Sequence, residues 1–275
     1  LYRFNRIKKT VIWCLGHGAF NGAWFNHSLS QAPFWWFSQK LAKYLANKKL
    51  LVFSDVSGYM LDLGCNLTTP LPNDLIVPIS IKCSEKMVSK LGESFIWLGR
   101  LSYDFKFLSL KRCIIDLNKH AEKIGLIINL DIVGDGEAMN ELIIFSKLSK
   151  GLNIKFLGSL DIKKVNTLFL SENYRMLLGM GTSVLEASKY GLPAVIIMPM
   201  RTTSDFRESH VYRRITETTG MSTGEFPNEI SNESNVSFEK IMSRVSEKEY
   251  IKSNYDYSKQ FCSKEVALKI VYLGG

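Results

Sequence analysis

The sequence predicts an α/β fold with a mainly parallel sheet, and three observations carry that prediction. From residue 94 onward, short apolar runs alternate with amphipathic stretches, the pattern of βαβ units packed into a helix-covered sheet. Glycines such as Gly99, Gly125, Gly158 and Gly179 punctuate the ends of these runs, where a chain leaves a helix or turns away from a strand. The composition, 46% apolar and 22% charged over 275 residues, is that of a soluble globular chain long enough for one large domain or two of ordinary size.

The elements follow in order. "KTVIWCLGHG" reads as a strand and loop, "FWWFSQKLAKYLANKK" as a helix, "LLVFSDV" as a strand and "NDLIVPISIK" as another. These pieces do not complete a sheet, and the chain opens on Leu1 rather than Met. We read residues 1–88 as the last part of a first α/β domain whose beginning is absent. A hinge near Cys83–Glu93 joins it to a second, complete domain over 89–275. There "SFIWLGR" is a strand. "FLSLKRCIIDLNKHAEKIG" is a helix, with Leu110, Cys113, Ile114 and Leu117 at helical spacing and Gly125 at its end. "LIINLDIVGDG" is a strand entering a glycine turn, and "EAMNELIIFSKLSKG" a helix closed by Gly151. "NIKFLGSL", "YRMLLGMG" and "LPAVIIM" are strands, separated by helices at "DIKKVNTLFLS" and "TSVLEASKYG".

Composition excludes several classes. Thr10 to Gln39 lacks Lys, Arg, Asp and Glu but is broken by glycines, asparagines, serines and Pro33, whereas a spanning helix needs ~20 mostly apolar residues. The basic start precedes no signal-peptide cleavage pattern. Five scattered cysteines, without a C-x-x-C pair, argue against a disulfide framework or zinc site; a reducing cytosol is the simple reading. The net charge of +9 is uneven, with 11 Lys/Arg against 4 Asp/Glu in residues 1–90. Such an excess suits an anionic membrane or substrate as well as a solubilising surface, and no nucleic-acid-binding signature accompanies it.

Three features point to chemistry. The strand "YRMLL" runs through Gly179 and Met180 into Gly181-Thr182-Ser183, where a helix begins; backbone N–H groups there favour phosphate, and Thr182 or Ser183 could equally serve as a plain cap. Glu186, one turn on, can accept hydrogen bonds from a vicinal diol such as ribose, or simply complement the helix dipole. Gly99-Arg100 ends a buried strand and Lys106 follows. Guanidinium and ammonium together could neutralise a diphosphate and stabilise it as a leaving group, or be two solvated loop cations.

These pieces, in this order, resemble the C-terminal nucleotide-binding domain of retaining glycosyltransferases of the GT-B fold, group 1 or family 4, over residues 94–200. The matching motifs are Gly99-Arg100 with Lys106; Val133-Gly134-Asp135-Gly136; Ile154-Lys155-Phe156-Leu157-Gly158; and Leu185-Glu186-Ala187 with Gly191 and Pro193. The resemblance implies a GT-B-like chain of two Rossmann-like domains with parallel sheets, the N-terminal one incomplete here. It implies that Gly99, Arg100 and Lys106 meet the donor's phosphates, with Arg100 and Lys106 catalytic. Gly134 lies at the donor site, Gly181, Thr182 and Ser183 approach the diphosphate, Glu186 holds ribose, and Phe156 to Ser159 (with Gly158) border the base. "VIWCLGHG" is similar to the histidine segment near the acceptor cleft, which makes His17 a catalytic candidate. One departure is plain: the first position of the family's E-x7-E motif is Leu178.

The implied activity is transfer of a sugar from a nucleotide-diphosphate sugar to a saccharide or lipid-linked saccharide, with retention, in bacterial cell-surface polysaccharide or lipopolysaccharide synthesis. No Asp-x-Asp pair occurs, so no metal and no cofactor beyond the nucleotide-sugar co-substrate are expected. Phe34-Trp35-Trp36-Phe37 is either the start of a core helix or part of an acceptor face at a membrane. The expected location is the cytoplasm, with peripheral contact on an anionic membrane. A nucleotide-sugar 2-epimerase and a non-catalytic nucleotide-binding fragment are the alternatives. A dehydrogenase is disfavoured because no G-x-G-x-x-G opens a βαβ unit.

Overall fold

The computed structural model describes residues 13–14, 51–52, 77–217, 235–243 and 246–274. The chain divides into two compact units: Leu1–Lys82 with Thr219–Ser222 and Phe261–Gly275, and Cys83–Thr218 with Thr223–Gln260.

In the first unit, β1 (Trp13–Cys14) pairs in parallel with β2 (Leu51–Val52), within the two runs read as strands. The expected strand over "NDLIVPISIK" is not formed among its described residues. Only Ile81 makes a bridge, to Cys262, and its N–H donates to the Phe261 carbonyl at 2.8 Å. Pro78 has no N–H to give a ladder. A C-terminal helix, Ser263–Gly274, begins where the Ser263 N–H and Oγ both donate to the Ile81 carbonyl.

The second unit carries a six-stranded sheet of β3 (Ser94–Leu98), β4 (Ile128–Val133), β5 (Leu152–Gly158), β6 (Tyr174–Gly179), β7 (Ala194–Ile197) and β8 (Tyr212–Arg214). Its order is β5-β4-β3-β6-β7-β8, parallel throughout except for β8, which runs antiparallel to β7. Every residue of β7 and the centre of β3 (Phe95, Ile96, Trp97) are buried, as continuous apolar runs in a sheet covered on both faces must be.

Helices cover that sheet. α1 (Lys106–Ile124) buries Leu110, Cys113, Ile114 and Leu117 and ends at Gly125, whose φ of 68° takes the left-handed cap. α2 (Met139–Ser146) is shorter than expected. It tightens into successive i→i+3 bonds at Lys147, Leu148 and Ser149, so Gly151 does not close it. Gly151 instead sits against α1, where a Cβ would lie 2.8 Å from that of Ala121. α3 (Ile162–Leu170) is capped by Asp161, which accepts from the Lys164 N–H. α4 (Thr182–Ser188) follows β6, and α5 (Thr203–Arg207) opens on a capping box between Thr202 and Asp205.

Beyond Met200 the sequence reading made no assignment, and the fold there completes the core. Tyr212 of β8 donates to Asp116 at 2.8 Å, and the Arg112 Nε donates to the same oxygen at 2.6 Å. After α6 (Phe238–Met242), α7 (Glu247–Lys259) inserts Asn254, which accepts from the Ala194 N–H at 3.0 Å and so fastens that helix to β7.

Within the segment 83–93, the backbone is bonded along the amino edge of the sheet: Val88 donates to the Tyr190 carbonyl, and the Ser89 N–H and Oγ both donate to Glu172. One expectation needs correcting: Cys83 and Cys262 are each disulfide-bonded, because wide sequence spacing does not decide which thiols a fold brings together. Cys113 is free and buried.

Candidate donor-nucleotide site

The glycine motifs end strands on one edge of the sheet: Gly99 follows β3, Gly134 follows β4, Gly158 closes β5 and Gly179 closes β6. The chain builds outward from β3 through β4 to β5, then returns to place β6 on the other side of β3. At such a reversal the loops diverge and a crevice opens at the carboxyl ends of the strands. Trp97 pairs with Leu178 across β3 and β6, strands about 4.8 Å apart. The Gly99-Arg100 turn and the Gly179–Gly181 turn therefore leave the sheet side by side. A Cβ on Gly179 would stand 3.6 Å from the Leu98 carbonyl oxygen.

The loop carrying Arg100 is held from below. Leu101 N–H donates to the Asp135 carbonyl at 2.9 Å, Ala138 N–H to the Leu101 carbonyl at 2.9 Å, and Tyr103 N–H to Glu137 Oε1 at 3.0 Å. This lacing brings backbone onto backbone. A Cβ on Gly134 would meet the Gly99 oxygen at 1.9 Å, and one on Gly136 would meet the Leu101 oxygen at 2.5 Å; their φ angles are 144° and 155°. Contact and dihedral both require glycine. Gly134 thus acts on the Arg100 loop through Gly99.

The two cations share this ledge. Lys106 opens α1, and its Nζ lies 3.8 Å from where a Gly99 Cβ would be. Burial pushes the Lys106 ammonium below its ordinary pKa, and the charge of Arg100 adds to that, against a smaller opposing pull from Asp104. Arg100 is 72% exposed, 3.7 Å from Asp104. Burial works against the Asp104 carboxylate, but hydrogen bonds from Ser102 Oγ and from the N–H groups of Lys106 and Phe105 outweigh it and hold its pKa down. Asp104 therefore orders the loop without neutralising both cations. A partly buried ammonium with the Arg100 charge near it favours an anion at that place.

Across the crevice, the N-cap of α4 is Gly181 at φ 70°, with no side-chain cap. Ser183 Oγ donates to the Met180 carbonyl at 2.9 Å, so neither Thr182 nor Ser183 serves as the N-cap. Glu186 is not a free carboxylate; it pairs with Lys189. Gly158, at φ 66°, has open space where a Cβ would be. Phe156 lies in β5 opposite Ile132, with two strands between it and β6. His17 and Phe34–Phe37 lie outside the described residues.

Several neighbours were missed from sequence. Trp97 Nε1 is buried without a hydrogen-bond partner, 3.5 Å from the Cβ position of Gly99 that Lys106 also flanks. Arg201 follows Met200, whose N–H donates to the Phe105 carbonyl at 3.2 Å, beside the start of α1. Lys189 stands one helical turn after Glu186, a spacing visible in the sequence. Among the described residues no group of His, Cys, Asp and Glu is arranged to hold a metal ion, and no helix is long and apolar enough to cross a membrane.

No protein-family profile and no curated protein matches the chain. Solved structures do. TarM superposes with a TM-score of 0.56 at 17% identity, covering 99% of this chain and 52% of TarM. A variant of TarM from S. aureus, in complex with Fondaparinux, alpha-GlcNAc-glycerol and UDP, gives 0.55 at 16%. Trehalose-6-phosphate synthase, OtsA, gives 0.55 at 12% identity, covering 98% of this chain and 68% of OtsA. These are GT-B glycosyltransferases, and the likeness is one of fold. The chain spans about half the length of the TarM chains it matches.

Proposed function

We propose that this chain is part of a glycosyltransferase that takes a sugar from a nucleotide-diphosphate donor and passes it to a saccharide or lipid-linked saccharide. The observation that carries the reading is the convergence of Arg100 and Lys106 on the ledge beside the Gly179–Gly181 turn, at the reversal of strand order. In the proposed mechanism the diphosphate lies between the cations and the Gly181 turn. As the anomeric bond breaks, negative charge grows on the leaving phosphate, and a charge already fixed in a partly desolvated crevice stabilises it without reorganisation. Glu186 faces the ribose. The resemblance of the motifs, the fold shared with TarM, and a trehalose-6-phosphate synthase structure that concerns glycosyl transfer with retention together support a retaining reaction. A role in cell-surface polysaccharide synthesis, a cytoplasmic site, peripheral contact with an anionic membrane, and independence from metal belong to the same proposal.

The test is binding, then turnover. UDP, GDP and ADP are titrated against the chain by calorimetry, and at least one is expected to bind and to raise the melting temperature by mass action. Arg100→Ala and Lys106→Ala should each weaken that binding about tenfold or more, as loss of a charge-assisted hydrogen bond does. The corresponding sugar nucleotides are then followed for transfer, hydrolysis or epimer formation, which separates a transferase from an epimerase. Binding untouched by either substitution would remove the proposal.

A further inference from the structure

The last turn of α1 and the tail of α2 end together at the amino edge of the sheet. Leu126 N–H donates to the Ala121 carbonyl at 3.1 Å and closes α1. Ile128 N–H, opening β4, donates to the Gly151 carbonyl at 2.9 Å, and Gly151 N–H donates to Asn118 Oδ1 at 2.9 Å. These bonds set residues 124–127 beside residues 147–150. The corner is apolar and open: Leu126 is 62% exposed, Ile127 72%, Leu148 75%, and Ile144, one turn before Leu148, 67%. A hydrophobic residue just past a left-handed helix cap ordinarily packs back on its own helix. Leu126 stands in solvent instead, as does Ile127 ahead of the buried Ile128.

Lys119, Lys123, Lys147 and Lys150 lie along the same chain ends, all exposed. Two carboxylates are near. Glu122 accepts from Asn118 Nδ2 at 2.7 Å, and Glu239 of α6 feels the charges of Lys123 and Lys119. No ion pair joins any of the four lysines to a carboxylate among the described residues.

We propose that this corner is a docking surface for an anionic lipid bilayer. It rests on the membrane contact of the reading above, to which it gives a place. An exposed apolar patch marks an interface, and the lysines decide the partner. Lysine is depleted from protein–protein interfaces, whereas at an anionic bilayer each is worth about fivefold in partitioning. Leu126, Ile127 and Leu148 enter the boundary of the acyl chains, while the ammonium groups stay at the lipid phosphates on their long stems. The corner adjoins the amino ends of β4 and β5, the edge opposite the glycine turns, so the crevice stays open to nucleotide.

The experiment measures sedimentation of the full chain with vesicles of phosphatidylcholine alone and of phosphatidylcholine with about 30 mol% phosphatidylglycerol. The wild-type chain is expected to bind the anionic vesicles about tenfold or more tightly, with the excess falling as salt rises. Leu126→Ser/Ile127→Ser, at exposed positions where folding is tolerant, should weaken that binding about tenfold without changing net charge. Lys147→Glu/Lys150→Glu should weaken it about tenfold or more, and Lys163→Glu/Lys164→Glu, the same change of charge at the start of α3 on the opposite edge, only about twofold. Thermal unfolding verifies that each variant is folded, and the two corner variants should keep wild-type nucleotide affinity. Corner variants that both bind anionic vesicles like the wild type move the membrane contact elsewhere and overturn this inference alone. Equal losses from the two charge reversals reduce the contact to net charge and overturn it as well. If the wild-type chain self-associates in analytical ultracentrifugation, and Leu126→Ser/Ile127→Ser makes it monomeric without loss of vesicle binding, the corner serves a second copy instead. A wild-type chain that ignores anionic vesicles removes the membrane contact itself and leaves the nucleotide reading untouched.

Discussion

Gly134→Ala tests whether the Gly-Asp-Gly turn exists to seat the Arg100 loop. The new Cβ would stand 1.9 Å from the Gly99 oxygen, against the 3.0 Å below which real contacts are essentially never found. The ends of β3 and β4 must therefore part by about 1.1 Å or the turn must refold. Added to this is the strain of a non-glycine residue at φ 144°, of order 1–3 kcal/mol. A total of about 3 kcal/mol or more follows, and about 2–4 °C per kcal/mol gives a fall in Tm of roughly 6–12 °C. Gly125→Ala is the internal control: its φ is 68° but nothing lies within 4 Å of its Cβ, so only the left-handed strain of about 1–2 kcal/mol applies. The two variants are compared by thermal unfolding and by transfer from the sugar nucleotide that the wild type uses. Gly134→Ala should also lose about a hundredfold in rate, the cost of an ångström's misplacement, whereas Gly125→Ala keeps its activity. If both variants melt alike, or if Gly134→Ala transfers normally, the close approach does not position Arg100.

Lys106 has a folded pKa below its unfolded value. As pH falls, the unfolded chain takes up this proton first, so stability from this group is full above the unfolded pKa and reduced once pH has passed below the folded one. Lys106→Met, which keeps the apolar stem, should therefore raise Tm at neutral pH while weakening nucleotide binding, and the gain should shrink as pH rises toward the ordinary lysine pKa; a lowered Tm would contradict this. Glu186→Gln should cost about 3–5 kcal/mol by leaving Lys189 buried and unpaired, and the double variant Glu186→Gln/Lys189→Met should recover most of that in denaturant unfolding without recovering nucleotide affinity. Asp116→Asn should destabilise by a similar order, because Arg112 and Tyr212 both bond the same carboxylate oxygen in a buried place; an unchanged denaturation midpoint would show the network to be dispensable. In each case the wild-type chain under the same buffer is the reference.

Local patterning accounts for the part of the fold that was legible. Leu110, Cys113, Ile114 and Leu117 recur at helical spacing, and Gly125 stops their helix, because burial of one face and a left-handed cap are decided within a few residues. Asp161 announces α3 in the same way. The edge of the sheet that carries the site was also readable, since each strand's glycine marks where its chain leaves the sheet. The end of α2 was not legible. Nothing local distinguishes Ser146 from Gly151, and the choice fell to the place where Gly151 could close onto Ala121 of α1. That Cys83 and Cys262 are each disulfide-bonded was hidden too, because which thiols a fold brings together is not written in their spacing.

From the sequence alone come the strand–helix alternation, the glycine punctuation and the identities of Arg100, Lys106 and Glu186, because these depend on periodicity and residue chemistry. Tertiary structure decided that β6 lies beside β3, which sets the two cations next to the Gly181 turn. It decided that Gly134 and Gly136 serve the backbone of a neighbouring loop, and that Glu186 comes already paired with Lys189. Such relations join residues tens of positions apart, or turn on which of two charges faces inward. Both are settled by packing, where desolvation and close contact choose among side chains that a local pattern treats alike.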